Sequence, residues 1–266
     1  MIRLITTILL ALGITGVVWK MPIEGFRWLV LAAVGVGLRE FGRLVLKDHW
    51  LERGFQLFFG LIVAALLLFH QDLILVLLTL ITALFAFFLL VFRQTEPLAE
   101  AVHRLGLMML GILYLSMTLP FWAWIEAMPS GRIWVALALI PACLTDTFAF
   151  LVGKVFGRHK FAPVISPNKT WEGFFGALAG SLTGVWMVRH WLLPELAWIH
   201  GIAIAVGLWW IAPLGDLAES LIKRSVGAKD AGHMIPGHGG ALDRLDALVF
   251  AAPFVYGYAK YIIQAW

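Results

Sequence analysis

Residues 215–247 read GDLAESLIKRSVGAKDAGHMIPGHGGALDRLDA and form the most polar stretch of a chain that is apolar elsewhere. Acidic, basic and histidine side chains are crowded into it, and glycines recur in its second half. Long apolar segments flank it on both sides. The apolar segments decide the fold, and the concentration of charge between them indicates where a functional site lies.

The composition is that of a membrane protein. The chain has 266 residues, of which 61% are hydrophobic and 14% are charged, whereas soluble domains carry roughly 25% charged residues. The formal net charge is +4, but the bases lie in connectors between apolar segments, which argues against nucleic acid as a partner. The single cysteine, Cys143, excludes an intrachain disulfide and a cysteine metal cluster.

Apolar segments long enough to cross a bilayer, about 20 residues each, recur along the whole chain. We predict an all-α polytopic integral membrane protein with about nine transmembrane helices. The segment after Arg3 lacks a small-residue cleavage site, so we interpret it as a retained span rather than a signal peptide. Only Gln71 and Asp72 separate the third span from the fourth, so this pair is either a tight helical hairpin or a re-entrant segment. The predicted spans are 2–19, 26–46, 55–70, 73–92, 105–127, 133–153, 173–193, 196–214 and 245–263.

The distribution of lysine and arginine predicts the orientation in the membrane. Most of these residues lie in the even-numbered connectors, and cytoplasmic connectors are the ones enriched in Lys and Arg. We therefore expect a cytoplasmic N-terminus and a multi-pass protein of the inner (cytoplasmic) membrane. Connectors 154–172 and 216–244 then share the cytoplasmic side, where nucleoside triphosphates are found.

The chain divides into two regions that differ in their number of polar, potentially catalytic residues. Residues 1–130 contain no polar cluster that suggests chemistry, and we predict that their helices form a transmembrane scaffold. Residues 131–266 contain both polar connectors and form the predicted catalytic region, with its active site on the cytoplasmic side. Within this region Gly176, Gly180 and Gly184 recur every four residues, a spacing that predicts close packing against another helix.

Two pairs of acids are candidates for a metal site. Asp216 and Glu219 lie three residues apart on one predicted helical face, and Asp243 and Asp246 have the same spacing where the ninth span begins. If the pairs converge, their carboxylates form the oxygen-rich site that Mg²⁺ prefers. Alternatively, they form a solvated rim and pair with neighbouring bases. Asp146, inside the sixth span, is either functional or a buried partner for a base.

A glycine-rich loop, PGHGG at residues 236–240, separates the two acidic pairs. Its backbone N–H groups could approach phosphate oxygens closely, and His238 could donate to a phosphate. Taken alone, the motif is also common in ordinary turns. A metal site built on His233 and His238 is a further alternative, although a phosphate-handling site prefers oxygen ligands.

Basic residues in both connectors could bind phosphate. Lys223, Arg224 and Lys229 supply the positive charge that a triphosphate needs, or they set the topology beside anionic lipid headgroups. The bases of connector 154–172 would suit a phosphate headgroup or a nucleotide.

Connector 154–172 also carries turn and capping signals. Ser166, Pro167 and Asn168 indicate a turn. Ser166 or Thr170 can cap the helix that follows.

These elements together resemble the signature of the phosphatidate cytidylyltransferase (CDP-diacylglycerol synthase) family. The resemblance covers about residues 140–250 and is most specific downstream of Asp216. Two positions depart from the family pattern: Ala241 replaces a larger aliphatic residue, and Asn168 stands where some members have a second lysine before Lys169. The matching segments are DTFA (146–149), GK (153–154), ISPNKTWEG (165–173), SLIKR (220–224), KD (229–230), PGHGG (236–240) and DRLD (243–246).

The resemblance implies that CTP and phosphatidic acid react to give CDP-diacylglycerol and pyrophosphate, a step of phospholipid biosynthesis. It also implies Mg²⁺, with K⁺ as a candidate second cation, and a homodimer in the lipid bilayer. By similarity, the catalytic residues are Lys223, Arg224, Lys229, Asp230, His238 and Arg244, the substrate-binding residues are Ser166, Lys169, Thr170, Ser220, Gly239 and Gly240, and the metal ligands are Asp216, Asp243 and Asp246.

Three other functions remain open from the sequence. A related CTP-dependent membrane enzyme could act on another lipid phosphate or a polyprenol, because substrate tails meet only apolar spans. An ion-coupled transporter could line its path with Asp146 and the acidic pairs, although we find no repeat between the two halves. A catalytically inactive scaffold is disfavoured by the intact acidic and basic positions.

Overall fold

The computed structural model describes residues 19–92, 97–228, 231–232 and 240–264. The first predicted span, except for Trp19, lies outside them. Short π-helical turns extend three of the helices: Leu66–His70 follows α2, Ile112–Ser116 follows α4 and Ala259–Ile263 follows α9. The elements are α1 (Ile23–Val45), α2 (Trp50–Ala65), α3 (Leu73–Val91), α4 (Leu98–Gly111), α5 (Phe121–Glu126), α6 (Gly131–Phe156), β1 (Lys160–Ala162), β2 (Ser166–Thr170), α7 (Trp171–Trp191), α8 (Trp198–Ser225) and α9 (Leu242–Tyr258).

The helices confirm the prediction of an all-α membrane protein. Within the described ranges, five helical segments are long and apolar enough to cross a membrane. Helix α3 exposes large apolar side chains: Ile74 is 72% and Phe85 is 63% accessible. Exposed apolar side chains of this kind are typical of a helix that faces lipid. The count of nine spans and the cytoplasmic N-terminus stay predictions. The five segments are Trp50–His70, Leu73–Val91, Leu98–Glu126, Gly131–Phe156 and Trp198–Ser225.

The third and fourth predicted spans form a tight helical hairpin, one of the two alternatives that the sequence left open. Gln71 adopts a left-handed backbone conformation with φ of 55°, which reverses the chain. Asp72 then caps α3, because its Oδ1 accepts hydrogen bonds from the N–H groups of Ile74 (2.9 Å) and Leu75 (3.1 Å). The two helices pack against each other.

The glycine strip on α7 packs against α6, as predicted. Side chains at Gly176, Gly180 and Gly184 would collide with Val152, with the carbonyl of Leu144 and with the backbone of Pro141, respectively. The absence of side chains therefore lets the two helices approach closely.

Connector 154–172 differs from its prediction. The strands β1 and β2 form a two-stranded antiparallel hairpin, and the turn occupies residues 163–165 rather than 166–168. Pro167 tolerates a position in β2 because a two-stranded hairpin leaves edge positions that need no N–H donor, and a residue before proline favours extended backbone. The hairpin is the one departure from all-α structure among the described residues.

The two halves of the chain share one hydrophobic core. Buried side chains of α1, α4 and α5 belong to the same cluster as those of α6, α8 and α9. Helix α9 contacts α8, α6, α5 and α1. The predicted scaffold therefore lies directly against the helix that carries Asp243 and Asp246.

Candidate active site

The two predicted acidic pairs converge where the C-terminal part of α8 packs against the first turns of α9. Gly215 makes this contact, because a side chain there would collide with the backbone carbonyl of Asp246 and with Ala247. The backbones of α8 and α9 therefore touch between Asp216 and Asp246. These two carboxylates are close enough to repel each other electrostatically, which is the arrangement that a divalent cation would relieve.

Lys223 links the second acidic pair to α8. Its Nζ lies 2.6 Å from Oδ1 of Asp243 and 3.3 Å from Oε2 of Glu219. Oδ2 of Asp243 accepts hydrogen bonds from the backbone N–H groups of Gly240 (2.8 Å) and Ala231 (3.2 Å). Burial alone would raise the pKa of the Asp243 carboxyl, but these hydrogen bonds, led by that from Lys223, hold its pKa below the usual value. Asp243 is therefore ionised at neutral pH.

Lys169 joins the β-hairpin to the same site. Its Nζ lies 2.6 Å from Oδ2 of Asp216 and donates to the backbone carbonyl of Pro213 at 3.2 Å. Ser220 donates to the other carboxylate oxygen of Asp216 at 3.3 Å. Both polar connectors therefore supply side chains to one site. The sequence predicted that the connectors share one side of the membrane, but it did not predict that their side chains meet.

Glu219 belongs to the site but is absent from the metal ligands predicted by similarity. It is fully buried, and neither of its carboxylate oxygens has a hydrogen-bond partner in the described part of the chain. Its position three residues after Asp216, on the face that also carries Ser220, was the sequence signal. The base nearest to it is Lys223, whose Nζ lies 3.3 Å from Oε2, and its oxygens are of the type that a hard cation binds.

Two further polar groups face this cluster. Asp146 on α6 lies within electrostatic range of Asp216, Asp246 and Lys169, so the intramembrane acid belongs to the same site. The buried hydroxyl of Tyr114, on the π turn after α4, has no hydrogen-bond partner among the described residues. Sequence reasoning missed Tyr114, because a lone tyrosine in an apolar span gives no signal.

The donor set fits Mg²⁺ by its chemistry. We define the acid cluster as Asp146, Asp216, Glu219, Asp243 and Asp246, and Lys169 and Lys223 form ion pairs with it. Its negative charge therefore exceeds its paired positive charge, and its donors are the oxygens that a hard cation requires. No group of three or more His, Cys, Asp or Glu residues in the described ranges is already arranged as a metal site, and lysines pair with three of the acids, Asp216, Glu219 and Asp243.

Other predicted residues lie apart from the cluster. Arg224 is exposed and donates to the backbone carbonyls of Ala228 (3.1 Å) and Ile165 (3.4 Å), which ties α8 to the hairpin turn. Arg244 is exposed on α9, and Ser166 is half-buried in β2. The predicted residues Lys229, Asp230, His238 and Gly239 lie outside the described residues.

Thr170 acts as the N-terminal cap of α7. Its hydroxyl accepts the N–H of Gly173 at 3.2 Å and caps α7, as one of the two predicted caps. Side chains at Gly153 and Gly157 would meet Thr170, so its surroundings are already filled.

Glu172 forms hydrogen bonds with the residues directly before the β-hairpin. Its carboxylate contacts the backbone N–H groups of Arg158 and His159 and the ring of His159 at 2.7 Å. Its own backbone N–H and these donors lower the pKa of Glu172 to about 2. The anionic form of Glu172 therefore fixes β1 beside α7.

Comparison with known proteins identifies the family of this chain. The model of the cytidylyltransferase family matches residues 1–262. The chain belongs to this family. A phosphatidate cytidylyltransferase of Staphylococcus aureus (strain COL) is 42% identical over 132 residues, which are 49% of this chain and 50% of that protein. The phosphatidate cytidylyltransferase of Mycobacterium tuberculosis (strain ATCC 25618 / H37Rv) is 40% identical over 123 residues, which are 46% of this chain and 37% of that protein. The matched segment thus spans half or less of these relatives' length.

Proposed function

We propose that this protein transfers the cytidylyl group of CTP to phosphatidic acid and releases pyrophosphate. The observation that carries the proposal is the acid cluster with its two lysines, where α8 packs against the first turns of α9. Membership of the cytidylyltransferase family and the names of the relatives support the same reaction.

The reaction exchanges one phosphoanhydride bond for another. An oxygen of the lipid phosphate attacks the α-phosphorus of CTP and forms the new P–O bond, and the bond to the β-phosphate breaks as pyrophosphate leaves. No protein nucleophile is needed, because a phosphate monoester is already anionic with a second pKa of about 6. The chain's contribution is to position both phosphates and to neutralise their charge.

The carboxylates that would hold Mg²⁺ are Asp216, Asp243 and Asp246, with Glu219 as a further oxygen donor. When bound, the ion would neutralise charge on the triphosphate and orient it. Lys169 and Lys223, which are paired with carboxylates in this structure, are placed to exchange those partners for phosphate oxygens. A second cation such as K⁺ and assembly as a homodimer remain part of the proposal.

The proposed membrane arrangement follows the distribution of bases. Nine spans with a cytoplasmic N-terminus would place the acid cluster at the cytoplasmic face of the inner membrane, where CTP is available. The lipid substrate would reach the cluster from the same leaflet.

The test is transfer of radiolabel from CTP to chloroform-soluble lipid. Purified protein in mixed micelles is incubated with phosphatidic acid, with and without Mg²⁺. We expect Mg²⁺-dependent labelled lipid. Product from another lipid phosphate or a polyprenyl phosphate, but none from phosphatidic acid, would reassign the substrate. Absence of labelled product from all of them would reject the proposal.

A further inference from the structure

A buried glutamate of the scaffold half reaches the catalytic region. Glu40 lies on α1 and is only 7% exposed. Its Oε2 accepts a hydrogen bond of 2.8 Å from the backbone N–H of Leu242, the first residue of α9. That N–H group has no acceptor within its own helix. Glu40 therefore caps α9 from a helix that lies 202 positions earlier in the chain.

Two glycines are packed around this carboxylate. A Cβ atom on Gly240 would lie 2.7 Å from Oε2 of Glu40, and one on Gly232 would lie 3.0 Å from Oε1. The same Gly240 donates its N–H to Asp243. Glu40 and Asp243 thus hold residues 231–232 and 240–242 together directly before the acidic turn of α9.

The second carboxylate oxygen of Glu40 lies in an unfavourable environment. Oε1 is buried and has no hydrogen-bond partner among the described residues, which costs free energy. Nearby bases of α1 do not relieve it, since Arg39 and Arg43 are exposed. The free-energy cost of burying Glu40 therefore points to a specific role, and the hydrogen bond from Leu242 indicates that this role is to cap α9.

We propose that Glu40 is a positioning residue that fixes the first turn of α9, so that Asp243 and Asp246 face Asp216. The inference rests on the proposed function for its catalytic consequence. Its structural part, the cap on α9, does not depend on the reaction. Because a small misplacement of reacting groups costs a large factor in rate, loss of this cap lowers turnover more than substrate binding.

Two substitutions separate the reach of the side chain from its charge. Glu40→Gln keeps an acceptor oxygen at the same distance, and we expect near wild-type kcat. Glu40→Asp keeps the charge but withdraws the oxygen by one methylene, and we expect kcat to fall about 10- to 100-fold with little change in the KM for CTP. A role of charge alone would give the opposite order. Glu24→Gln, an exposed glutamate on the same helix, is the control.

Hydrogen–deuterium exchange of the peptide covering residues 240–245, in substrate-free protein, provides a readout that needs no activity. We expect faster exchange in Glu40→Asp and wild-type exchange in Glu40→Gln. Wild-type kcat and exchange in Glu40→Asp, or equal impairment in both variants, would overturn the inference. An inactive wild type with the expected exchange pattern would count against the proposed reaction and not against the cap.

A third variant keeps the inference testable if Glu40→Asp does not fold. Gly232→Ala pushes a methyl group against Oε1 of Glu40, whereas a side chain at Gly106 meets nothing within 4 Å. We expect lower kcat and faster exchange in Gly232→Ala and no change in Gly106→Ala. Equal behaviour of the two alanine variants would overturn the inference.

Discussion

Two clusters of buried charge in the described part of the chain differ in the balance between acids and bases. In the scaffold half, Nε of Arg104 lies 3.4 Å from Oε2 of Glu52, and both residues are almost fully buried. A nitrogen of Arg104 also lies 3.3 Å from the ring of His49, and Gln56 donates to the carbonyls of residues 107 and 108. We call these four side chains the scaffold cluster. One acid there meets one strong base.

The acid cluster has no such balance. Lys169 pairs with Asp216, and Lys223 is shared between Asp243 and the fully buried Glu219, so two bases meet five acids. Burial of charge therefore does not distinguish a catalytic site from a structural one in this protein. The balance of charge does, because five acids face two lysines in the acid cluster, and we expect a bound cation to offset the difference.

The largest expected effect comes from removing charge in the acid cluster. Asp243→Asn keeps the size of the side chain and an acceptor for Gly240, but it removes the negative charge beside Lys223. We expect kcat to fall by about 10²–10³-fold or more, with the protein still folded in membranes. Asp48→Asn, an exposed acid before α2, is the control. Substantial activity of Asp243→Asn at normal expression would remove Asp243 from the site.

The next effect comes from breaking the scaffold cluster. Arg104→Met leaves Glu52 buried without its main base, and we expect a loss of about 3–5 kcal/mol in the free energy of unfolding. The activity of each folded molecule should stay near wild type. Thermal unfolding in detergent, with the assay run on the folded fraction, checks both. A loss of kcat without a loss of stability would show that the scaffold cluster takes part in the reaction and is not purely structural.

A smaller effect of opposite sign is expected at Glu219. Glu219→Gln removes one negative charge from a buried cluster in which two lysines face five acids, so Mg²⁺-free protein should gain about 1 kcal/mol in stability. The same change should weaken the dependence of activity on Mg²⁺. Stability is measured by thermal unfolding in EDTA, and Glu52→Gln serves as the counterpart that we expect to be destabilised. Destabilisation of both variants would mean that Glu219 is a structural residue.

The smallest effect is expected at Thr170, which was predicted to bind substrate. Thr170→Val removes the cap on α7 and should cost about 1 kcal/mol in stability, with an unchanged KM for CTP. Thermal unfolding and steady-state kinetics measure the two quantities. A raised KM without a loss of stability would return Thr170 to the substrate site.

The sequence predicted the elements of the site better than their contacts. Membrane helices followed from long apolar runs, and the convergence of the two acidic pairs was one of the two alternatives that their equal spacing left open. The ion pair between Lys169 and Asp216 could not be predicted, because hydropathy places connectors on a side of the membrane without specifying their neighbours. The hairpin was missed because Ser, Pro and Asn are turn residues, and a two-stranded sheet gives little apolar alternation.

Isolated polar residues in apolar helices were the main omission. Glu40 lies within the predicted second span, and the general rule that an acid inside a span is functional would have selected it as it selected Asp146. Its neighbours Arg39 and Arg43 made that part of the chain resemble an ordinary connector. Tyr114 carries no charge, so only the three-dimensional structure places its hydroxyl beside the acids.

The most direct test of the central claim is the stabilisation of the protein by Mg²⁺. Thermal unfolding is followed in detergent with CTP and without a lipid acceptor, while Mg²⁺ is titrated. We expect the unfolding temperature of the wild type and of Arg104→Met to rise with Mg²⁺, and that of Asp216→Asn to respond far less. An equal rise in Asp216→Asn, or no rise in the wild type, would contradict the claim that the unbalanced acid cluster binds the cation.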